Sequence, residues 1–338
     1  MDYGAIDLHA RQSLIRIVTA DGTVVLRERR IPTTRDGLIA VFQGRPRARI
    51  LVESGTESEW VAQTIEACGH EVVVASPNYA LMYGHRDPQI KTDRRDVIAL
   101  AEACRLGIYR PAHRVSAEQR VRRRDLRVRA HLVRLRTQTI NQVRMQLRQE
   151  GYRLAACSTP AMAKRYAELP IAASLRAALA PLVTVIETLT AQIRQCDREL
   201  EAVAAADPVV QRLQTAPGVG VITALTYRAV LDDVGRFADA QGVAAYLGLV
   251  PTEDSSGTQH RKGRITKKGS SELRVLLVQA SWAIWRQHAG GALQAWVHRL
   301  AARRGNRIAV VGLARRLGRI LYAMWRDERN YCPAPATA

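Results

Sequence analysis

Hydrophobic residues alternate with polar ones, or run unbroken, in five short stretches of the first 75 residues. Such patterns predict β-strands, and Asp21-Gly22 between the second and third stretches is a hairpin turn signal. Two stretches with helical spacing separate the later strands, which predicts a mixed sheet with helices on its faces. The predicted strands are GAIDLHA, SLIRIVTA, TVVLRERRI, ARILVESG and EVVVASP, and the predicted helices are TTRDGLIAVFQG, capped by Thr33 or Thr34, and SEWVAQTIEACGH.

The pattern changes to long helices from residue 116 onward. One predicted helix has apolar residues every seven positions, at Leu126, Val133, Ile140 and Leu147. A second begins just after Pro181, and its apolar positions step alternately by four and three residues, as in a coiled coil. This heptad seam fits both an intramolecular helical hairpin and a coiled coil between protomers. Its members are Leu182, Ile186, Leu189, Ile193, Cys196, Leu200 and Val203.

The last part of the chain predicts further helices around a basic loop at 251–270. Four tryptophans in these helices are expected to pack in the core: Trp282, Trp285, Trp296 and Trp325. The changes of pattern predict an α/β domain followed by helical domains. The predicted boundaries are 1–112 for the α/β domain, 113–206 for the arginine-rich and heptad helices, 207–330 for a mostly helical domain, and 331–338 for a tail.

Charge points to a polyanionic partner. The chain has a formal net charge of +20 and a pI near 10.6, and nucleic acid is the commonest partner of such proteins. Between Arg110 and Arg148, twelve arginines stand against two acids, a net charge of +10 in 39 residues. The arginines expected to contact nucleic acid, with steep salt dependence, are Arg122, Arg123, Arg124, Arg127 and Arg129.

Other classes of protein are not expected. No apolar run approaches the roughly 20 residues that span a bilayer, so a membrane partner is not predicted. The five cysteines are far apart and form no C-x-x-C motif, which argues against a disulfide framework or a zinc module. A reducing cytoplasm fits this cysteine usage.

Four acids lie where a metal site would need them. Asp93 and Asp96, in IKTDRRDVIALAEACRLG, are three residues apart on one face of a predicted helix. Asp7 lies inside an apolar strand and Glu53 ends another, and a buried acid is costly unless paired or metal-bound. Four oxygen ligands suit Mg²⁺ or Mn²⁺, and two such ions would promote phosphodiester cleavage. Each acid alone also has a structural interpretation: Asp7 could cap a turn, and Asp93 could be an N-cap with Asp96 at N3.

A serine next to clustered cations lies in GLVPTEDSSGTQHRKGRITKKGSSELR, residues 248–274. Ser255 and Ser256 precede Gly257, and His260 is a candidate base, although a solvated loop histidine fits as well. Attack by serine requires deprotonation and donors that stabilise charge on phosphorus. The cations either hold the scissile phosphate or contact the nucleic-acid backbone non-specifically. Without further context, these residues favour a serine that is not a nucleophile. The cations are Arg261, Lys262, Arg264, Lys267 and Lys268.

A glycine-rich turn is a further candidate for phosphate binding. Gly218 and Gly220, in LQTAPGVGVITAL, resemble a helix-hairpin-helix turn whose backbone N–H groups bind phosphate. Glycines also end ordinary helices, so this turn is weak evidence alone. No G-x-x-x-x-G-K-[ST] motif occurs, and ATP-driven chemistry is therefore not predicted.

In this order, the motifs AIDLH, LVESG, KTDRRD and AAYLGLVPTEDSSGTQHRKGRITKKGSSELRVLL resemble the insertion-sequence-110 transposases, DEDD-type recombinases guided by a bridge RNA. The resemblance runs nearly end to end. It implies a RuvC-like domain with a ribonuclease H fold, a coiled-coil region and a C-terminal transposase domain. It also implies Asp7, Glu53, Asp93 and Asp96 as catalytic metal ligands, and Ser256 as the nucleophile that becomes covalently linked to DNA.

The same resemblance implies partners and a reaction. The partners would be double-stranded donor and target DNA, a structured non-coding guide RNA, and further copies of the chain in a dimer of dimers. The expected activity is RNA-guided DNA recombination with Mg²⁺ or Mn²⁺ and without ATP, in the cytoplasm at the nucleoid. Two alternatives stay open: a metal-dependent nuclease or junction resolvase without a covalent intermediate, and a non-catalytic nucleic-acid-binding protein whose acids are structural.

Overall fold

The computed structural model describes residues 1–84, 92–256, 259–287 and 291–333, without the side chains at 160 and 254–262. The chain divides into two compact units, Met1–Arg114 and Val115–Ala338. The first unit is a mixed α/β structure and the second is mainly helical. Each is described by itself.

Five strands form one sheet in the described part of the first unit. They are β1 (Asp2–Asp7), β2 (Gln12–Val18), β3 (Val24–Pro32), β4 (Ala48–Glu53) and β5 (Glu71–Ala75). Their order is β3-β2-β1-β4-β5, with β1, β2 and β3 antiparallel and β1, β4 and β5 parallel. The predicted strands and the turn at Gly22, whose φ is +92°, are confirmed.

Helices cover both faces of this sheet. They are α1 (Arg35–Phe42), α2 (Ser58–Ala67) and α3 (Asp93–Leu106), with a short 3₁₀ helix at Ala80–Tyr83. Successive strand residues face opposite layers: Ile6 of β1 packs with α1 and α2, whereas Ala5 packs with α3. Thr34, one of the two predicted caps, accepts a hydrogen bond from the Gly37 N–H at 3.1 Å. The core therefore fixes α3 against one face of the sheet.

An antiparallel pair of long helices begins the second unit. They are α4 (Ala117–Gln149) and α6 (Ala173–Ala206), with α5 (Thr159–Ala167) between them. Arg129 near the start of α4 is 2.5 Å from Asp197 near the end of α6, and the helices pack along their length. The seam residues Ile186, Ile193 and Leu200 are buried. The heptad seam thus packs within the chain, as the helical-hairpin interpretation predicted.

Helix α6 differs from its prediction in one respect. Pro181 lies inside it rather than before it, and the helix begins at Ala173. Proline removes only one N–H from the ladder, and the burial of Leu179 and Ile186 on either side is consistent with the helix continuing through it. By length and mean hydropathy (1.3 over an 18-residue window) alone, α6 also meets the criteria for a membrane-crossing helix, and a single such helix is weak evidence for a membrane segment.

The remaining elements build a second core. They are α7 (Pro208–Gln214), α8 (Val221–Leu231), α9 (Ala240–Tyr246), β6 (Pro251–Ser256), β7 (Gln259–Ile265), α10 (Ser271–Arg286), α11 (Ala292–Arg304) and α12 (Asn306–Arg326). Tyr227 is fully buried and donates to the Gly318 carbonyl at 2.6 Å. Trp325 is buried, and Trp285 and Trp296 pack against the same core. The predicted loop at 251–270 is wrong, because β6 and β7 form an antiparallel hairpin there.

Candidate active site

Asp7 and Glu53 lie at the same edge of the sheet. Strands β1 and β4 are parallel neighbours, and Ile6 pairs with Val52, so each acid follows the last residue pair between these two strands. The carboxyl ends of parallel strands are a frequent place for ligand sites in α/β proteins. The fold therefore brings together two acids that are 46 residues apart in the sequence.

Helix α3 begins beside the same sheet. Thr92 is its N-cap, and its hydroxyl accepts a hydrogen bond from the Arg95 N–H at 3.3 Å. The capping interpretation of Asp93 is therefore wrong: Asp93 occupies the first helical position, and Asp96 follows one turn later. Asp96 is buried, whereas the Asp93 side chain is 46% exposed. Because Thr92 caps the helix, neither carboxylate is its N-cap.

The pKa of Asp7 is raised by its burial and by the three other acids. Burial raises this pKa above the ordinary value for aspartate, and the nearby charges of Asp93, Asp96 and Glu53 raise it further, while His9 lowers it. Coulomb interactions of this kind require proximity. The charges of Asp93, Asp96 and Glu53 therefore lie close enough to Asp7 to interact with it, and Arg30, 3.7 Å from Asp93, is a cation beside this group.

His9 belongs to this cluster, although the sequence analysis did not single it out. Its Nε2 atom is 3.3 Å from Oδ2 of Asp7 and 3.5 Å from Oδ1 of Asp93. One ligand atom from each of the three side chains lies within 4.8 Å of the others. The sequence feature that could have indicated His9 is the D-x-H spacing at a strand end, because residues i and i+2 of an extended segment point to the same side.

The donor set fits a divalent cation. Asp7 is only 8% exposed, and its Oδ2 has no hydrogen-bond partner among the described residues, since its contact with His9 is not aligned as a hydrogen bond. A buried, unsatisfied carboxylate oxygen is costly, and a cation would satisfy it. Outer contacts orient the other ligands: Arg30 lies 3.7 Å from Asp93, and the Tyr83 hydroxyl donates to Glu53.

Ser256 lies at the end of strand β6, next to the hairpin tip. In the backbone register, Ser256 pairs with Gln259, and Ser255 pairs with His260. The side chains of Ser255, Ser256, His260, Arg261 and Lys262 lie outside the described residues. The three other predicted cations of this segment, Arg264, Lys267 and Lys268, are exposed.

Two glycines fix the base of this hairpin. A Cβ atom on Gly248 would lie 2.1 Å from the Lys268 carbonyl oxygen, and one on Gly269 would lie 2.1 Å from the Tyr246 carbonyl oxygen. Both have positive φ, so only glycine fits without strain. Arg274 of α10 also donates to the Lys268 carbonyl at 2.7 Å. The hairpin is thus joined closely to the ends of α9 and α10.

The arginines of α4 divide into two groups. Arg122 is 2.5 Å from Asp207, Arg129 is 2.5 Å from Asp197, and Arg123 donates to the carbonyls of Ala229 and Val230 at 2.8 Å. These three have partners within the chain. Arg124 and Arg127 also contact acids, Asp125 at 3.1 Å and Glu272 at 4.0 Å, but their side chains are 68% and 66% exposed. Exposed guanidinium groups are the better placed of the five for contacts with nucleic acid.

The glycine-rich turn has a packing function at one of its two positions. Gly218 has φ +72°, and a Cβ there would lie 2.6 Å from the Ala280 carbonyl oxygen of α10. Close packing explains this glycine without a ligand. Gly220 precedes α8 as its N-cap, and no heavy atom would lie within 4 Å of an added Cβ. Its backbone is the part of the predicted turn that is open to a phosphate.

Comparisons with protein families cover both groups of candidate residues, the acids and the hairpin. Residues 210–296, which include the hairpin, match a family described as "Transposase IS116/IS110/IS902 family". Residues 5–151, which include the four acids, match a second family described as "Transposase".

Individual proteins resemble the chain over most of its length. It is 33% identical over 302 residues to a probable family 20 transposase of Pseudomonas aeruginosa, covering 86% of this chain and 88% of that protein. It is 32% identical to the transposase for insertion sequence element IS1111A of Coxiella burnetii, covering 83% and 78%. It is 29% identical to the transposase for insertion sequence element IS1328 of Yersinia enterocolitica, covering 94% and 95%.

Proposed function

Because this chain belongs to the IS116/IS110/IS902 family of transposases, which cut and rejoin DNA, we propose that it does so with divalent metal ions and a nucleophilic serine. The observation that carries the metal half of this proposal is the group of ligand atoms formed by Asp7, His9 and Asp93, with Glu53 and Asp96 near enough to raise the pKa of Asp7. The serine half rests on the family resemblance of the segment around Ser256.

The four acids would hold Mg²⁺ or Mn²⁺ at the edge of the sheet. Bound there, the ions would supply Lewis-acid stabilisation of charge on the phosphodiester oxygens. The chain's own contribution is to gather the ligands: β1 and β4 present Asp7 and Glu53, and the first turn of α3 presents Asp93 and Asp96. A RuvC-like, ribonuclease H type of domain is part of this proposal, supported by the five-stranded mixed sheet and the position of α3.

Ser256 would attack the scissile phosphate. The bond from its Oγ to phosphorus forms while the bond from phosphorus to the 3′ oxygen breaks, and the 3′ oxygen leaves with a proton as a hydroxyl. The protein would then be joined to the 5′ end of the DNA. Attack by another 3′ hydroxyl reverses these bonds on a new strand. Because the ester conserves the bond energy, the reaction needs no ATP.

Specificity would come from a structured guide RNA that pairs with donor and target DNA. The net charge of +20 and the exposed Arg124 and Arg127 support backbone contacts with nucleic acid rather than reading of bases. A homo-oligomer, a dimer of dimers in which one protomer's acids meet another's serine, belongs to the same proposal, as does a location in the cytoplasm at the nucleoid.

The test is to trap the covalent intermediate. Purified protein with its copurified RNA is incubated with 3′-labelled donor DNA and Mg²⁺, and denaturing gels show any DNA that migrates with protein. We expect an adduct with the native protein, its loss in Ser256→Ala, and its retention in the neighbouring control Ser255→Ala. Cleavage that survives in Ser256→Ala without an adduct would support the nuclease or resolvase alternative.

Two further variants separate the halves of the mechanism. Asp93→Asn should abolish the adduct while RNA and DNA binding persist. Unimpaired recombination by Asp93→Asn would instead favour structural acids. Sequencing of copurified RNA tests the guide: discrete species with loops complementary to the DNA ends support it, and random cellular RNA contradicts it.

A further inference from the structure

Helices α11 and α12 carry a second concentration of positive charge. From 292 to 326 the sequence contains eight arginines and no lysine, aspartate or glutamate, a net charge of +8 in 35 residues. This segment is separate from the arginine-rich helix α4 and from the hairpin, and most of it lies beyond residues 210–296 that match the family. Positive charge without neighbouring acids creates a local field that attracts polyanions.

Five of these arginines border two adjoining cavities. One cavity, of about 690 Å³, is lined mainly by residues of α12, and the other, of about 440 Å³, is lined by α11. Trp296 lines both, so the cavities meet at its indole ring. We call this surface the C-terminal groove. Its arginines are Arg299, Arg303, Arg315, Arg316 and Arg319.

The close packing of α11 on α12 positions the arginines of the groove. At Gly312 a Cβ would lie 3.1 Å from Leu300, so the two helices approach closely at this point. The Arg316 guanidinium lies over the Trp296 ring, 4.9 Å from its centroid, and Arg315 donates to the Gln241 side chain at 2.9 Å. Arg319 is exposed one turn further along α12, on the same face.

This arrangement matches one class of ligand. Guanidinium groups form paired hydrogen bonds to phosphate oxygens, and orientation before binding reduces the entropy lost on contact. A single small anion would not occupy two adjoining cavities with five arginines, whereas a row of phosphates would. We propose that the C-terminal groove binds the phosphodiester backbone of a nucleic-acid strand without reading its bases.

The proposal goes beyond the cleavage chemistry. It needs only that the protein acts on nucleic acid, and it holds or fails independently of Ser256 and of the metal ligands. The strand could be the DNA substrate or an RNA, since both present the same backbone. The experiment therefore uses three probes: double-stranded DNA, single-stranded DNA and a structured RNA, each in two unrelated sequences.

The variant is Arg316→Gln/Arg319→Gln in the full chain. Its control is Arg194→Gln/Arg198→Gln, which removes the same charge from exposed positions of α6 that lie next to Asp197 and Glu199. Affinity is measured by fluorescence anisotropy over a series of salt concentrations. For at least one probe, in both sequences, we expect the groove variant to bind about 10-fold more weakly than the native protein. The salt slope, which is the steepness with which the logarithm of affinity falls with the logarithm of salt concentration, should decrease by about 1–2.

The probe that responds identifies the source of the strand. Thermal melting of both variants should match the native protein, which separates loss of a binding group from loss of structure. The single variant Arg319→Gln, which leaves the contact between Arg316 and Trp296 intact, should show about half of the change in slope. Equal changes in slope for the groove variant and the control, or no change for any probe, would overturn the proposal.

Discussion

Nε2 of His9 lies 3.5 Å from Oδ1 of Asp93, although 84 positions separate the two residues in the sequence. The end of β1 and the first turn of α3 meet at this point, and Asp7 completes the group. An imidazole nitrogen among carboxylates alters the preference for metal ions, because nitrogen ligands favour Mn²⁺ and later transition metals over Mg²⁺.

Replacing His9 should therefore change metal preference rather than abolish metal binding. In His9→Ala we expect Mn²⁺ affinity to fall about 10-fold, with Mg²⁺ affinity nearly unchanged. Isothermal titration calorimetry with each ion measures both values. His131→Ala, which removes an exposed histidine from α4, is the control. Equal losses for the two ions would show that His9 supports the site without contacting the metal.

Removing the charge of Asp7 should stabilise the metal-free protein. Burial and the neighbouring acids raise the pKa of Asp7, so its ionised form weakens the fold at any pH above that value. Asp7→Asn should melt at a higher temperature than the native protein in a chelator at neutral pH, and Mn²⁺ should not raise its Tm further. Thermal melting with and without Mn²⁺ measures both effects.

The pH dependence supplies the control for this experiment. Below the raised pKa of Asp7, the native carboxyl is neutral too, and the advantage of Asp7→Asn should disappear as the pH falls. A lower Tm for Asp7→Asn in chelator at neutral pH would mean that hydrogen bonds to the carboxylate outweigh repulsion, contrary to the geometry described above.

The arginines of α4 should separate into binding and structural residues. Arg124→Gln/Arg127→Gln is expected to lower the salt slope of nucleic-acid binding by about 1–2 without changing Tm, because both side chains are exposed. Arg122→Gln is expected to lower the free energy of unfolding by about 2 kcal/mol, because it removes the nearer of the two arginines that contact the buried Asp207, the other being Arg228 at 3.7 Å. Binding and denaturant titrations on both variants test this division, and a matching loss of stability in both would contradict it.

The two glycines of the P-G-V-G turn should respond differently to alanine. Gly218→Ala places a methyl group against the Ala280 carbonyl at positive φ, and should cost about 2–3 kcal/mol of unfolding free energy. Gly220→Ala has open space and an ordinary φ of −89°, so its cost should stay below about 1 kcal/mol. Urea denaturation measures both. Equal costs would contradict the packing explanation.

The sequence was most informative where burial sets the pattern. Apolar strands placed Asp7 within one strand and Glu53 at the end of another, and helical periodicity placed Asp93 and Asp96 on one face of α3, because core packing dictates both periods. It was less informative about surfaces. Arginines occupy every side of α4, so no periodicity distinguishes Arg122, which faces Asp207, from Arg124, which faces solvent.

The hairpin around Ser256 and the neighbours of His9 depend on tertiary contacts, so local composition did not predict them. The segment around Ser256 is rich in serine, glycine and cations, which is typical of a loop, yet backbone pairing makes it a hairpin. His9 is one of eight scattered histidines and gains its neighbours only when α3 packs on the sheet. The arginines of α11 and α12 were visible in the sequence as an acid-free stretch, which a count of charge along the chain would have found.

The seam of α6 has a consequence for stoichiometry. The burial of Ile186, Ile193 and Leu200 against α4 stabilises a single copy of the chain. These three side chains therefore bury no further surface when two copies associate. Apolar side chains that stay exposed are open to self-association. On α4, Val121, Val128 and Leu135 remain exposed at intervals of seven residues, and a sister molecule that packed along this row would leave the hairpin of α4 and α6 intact.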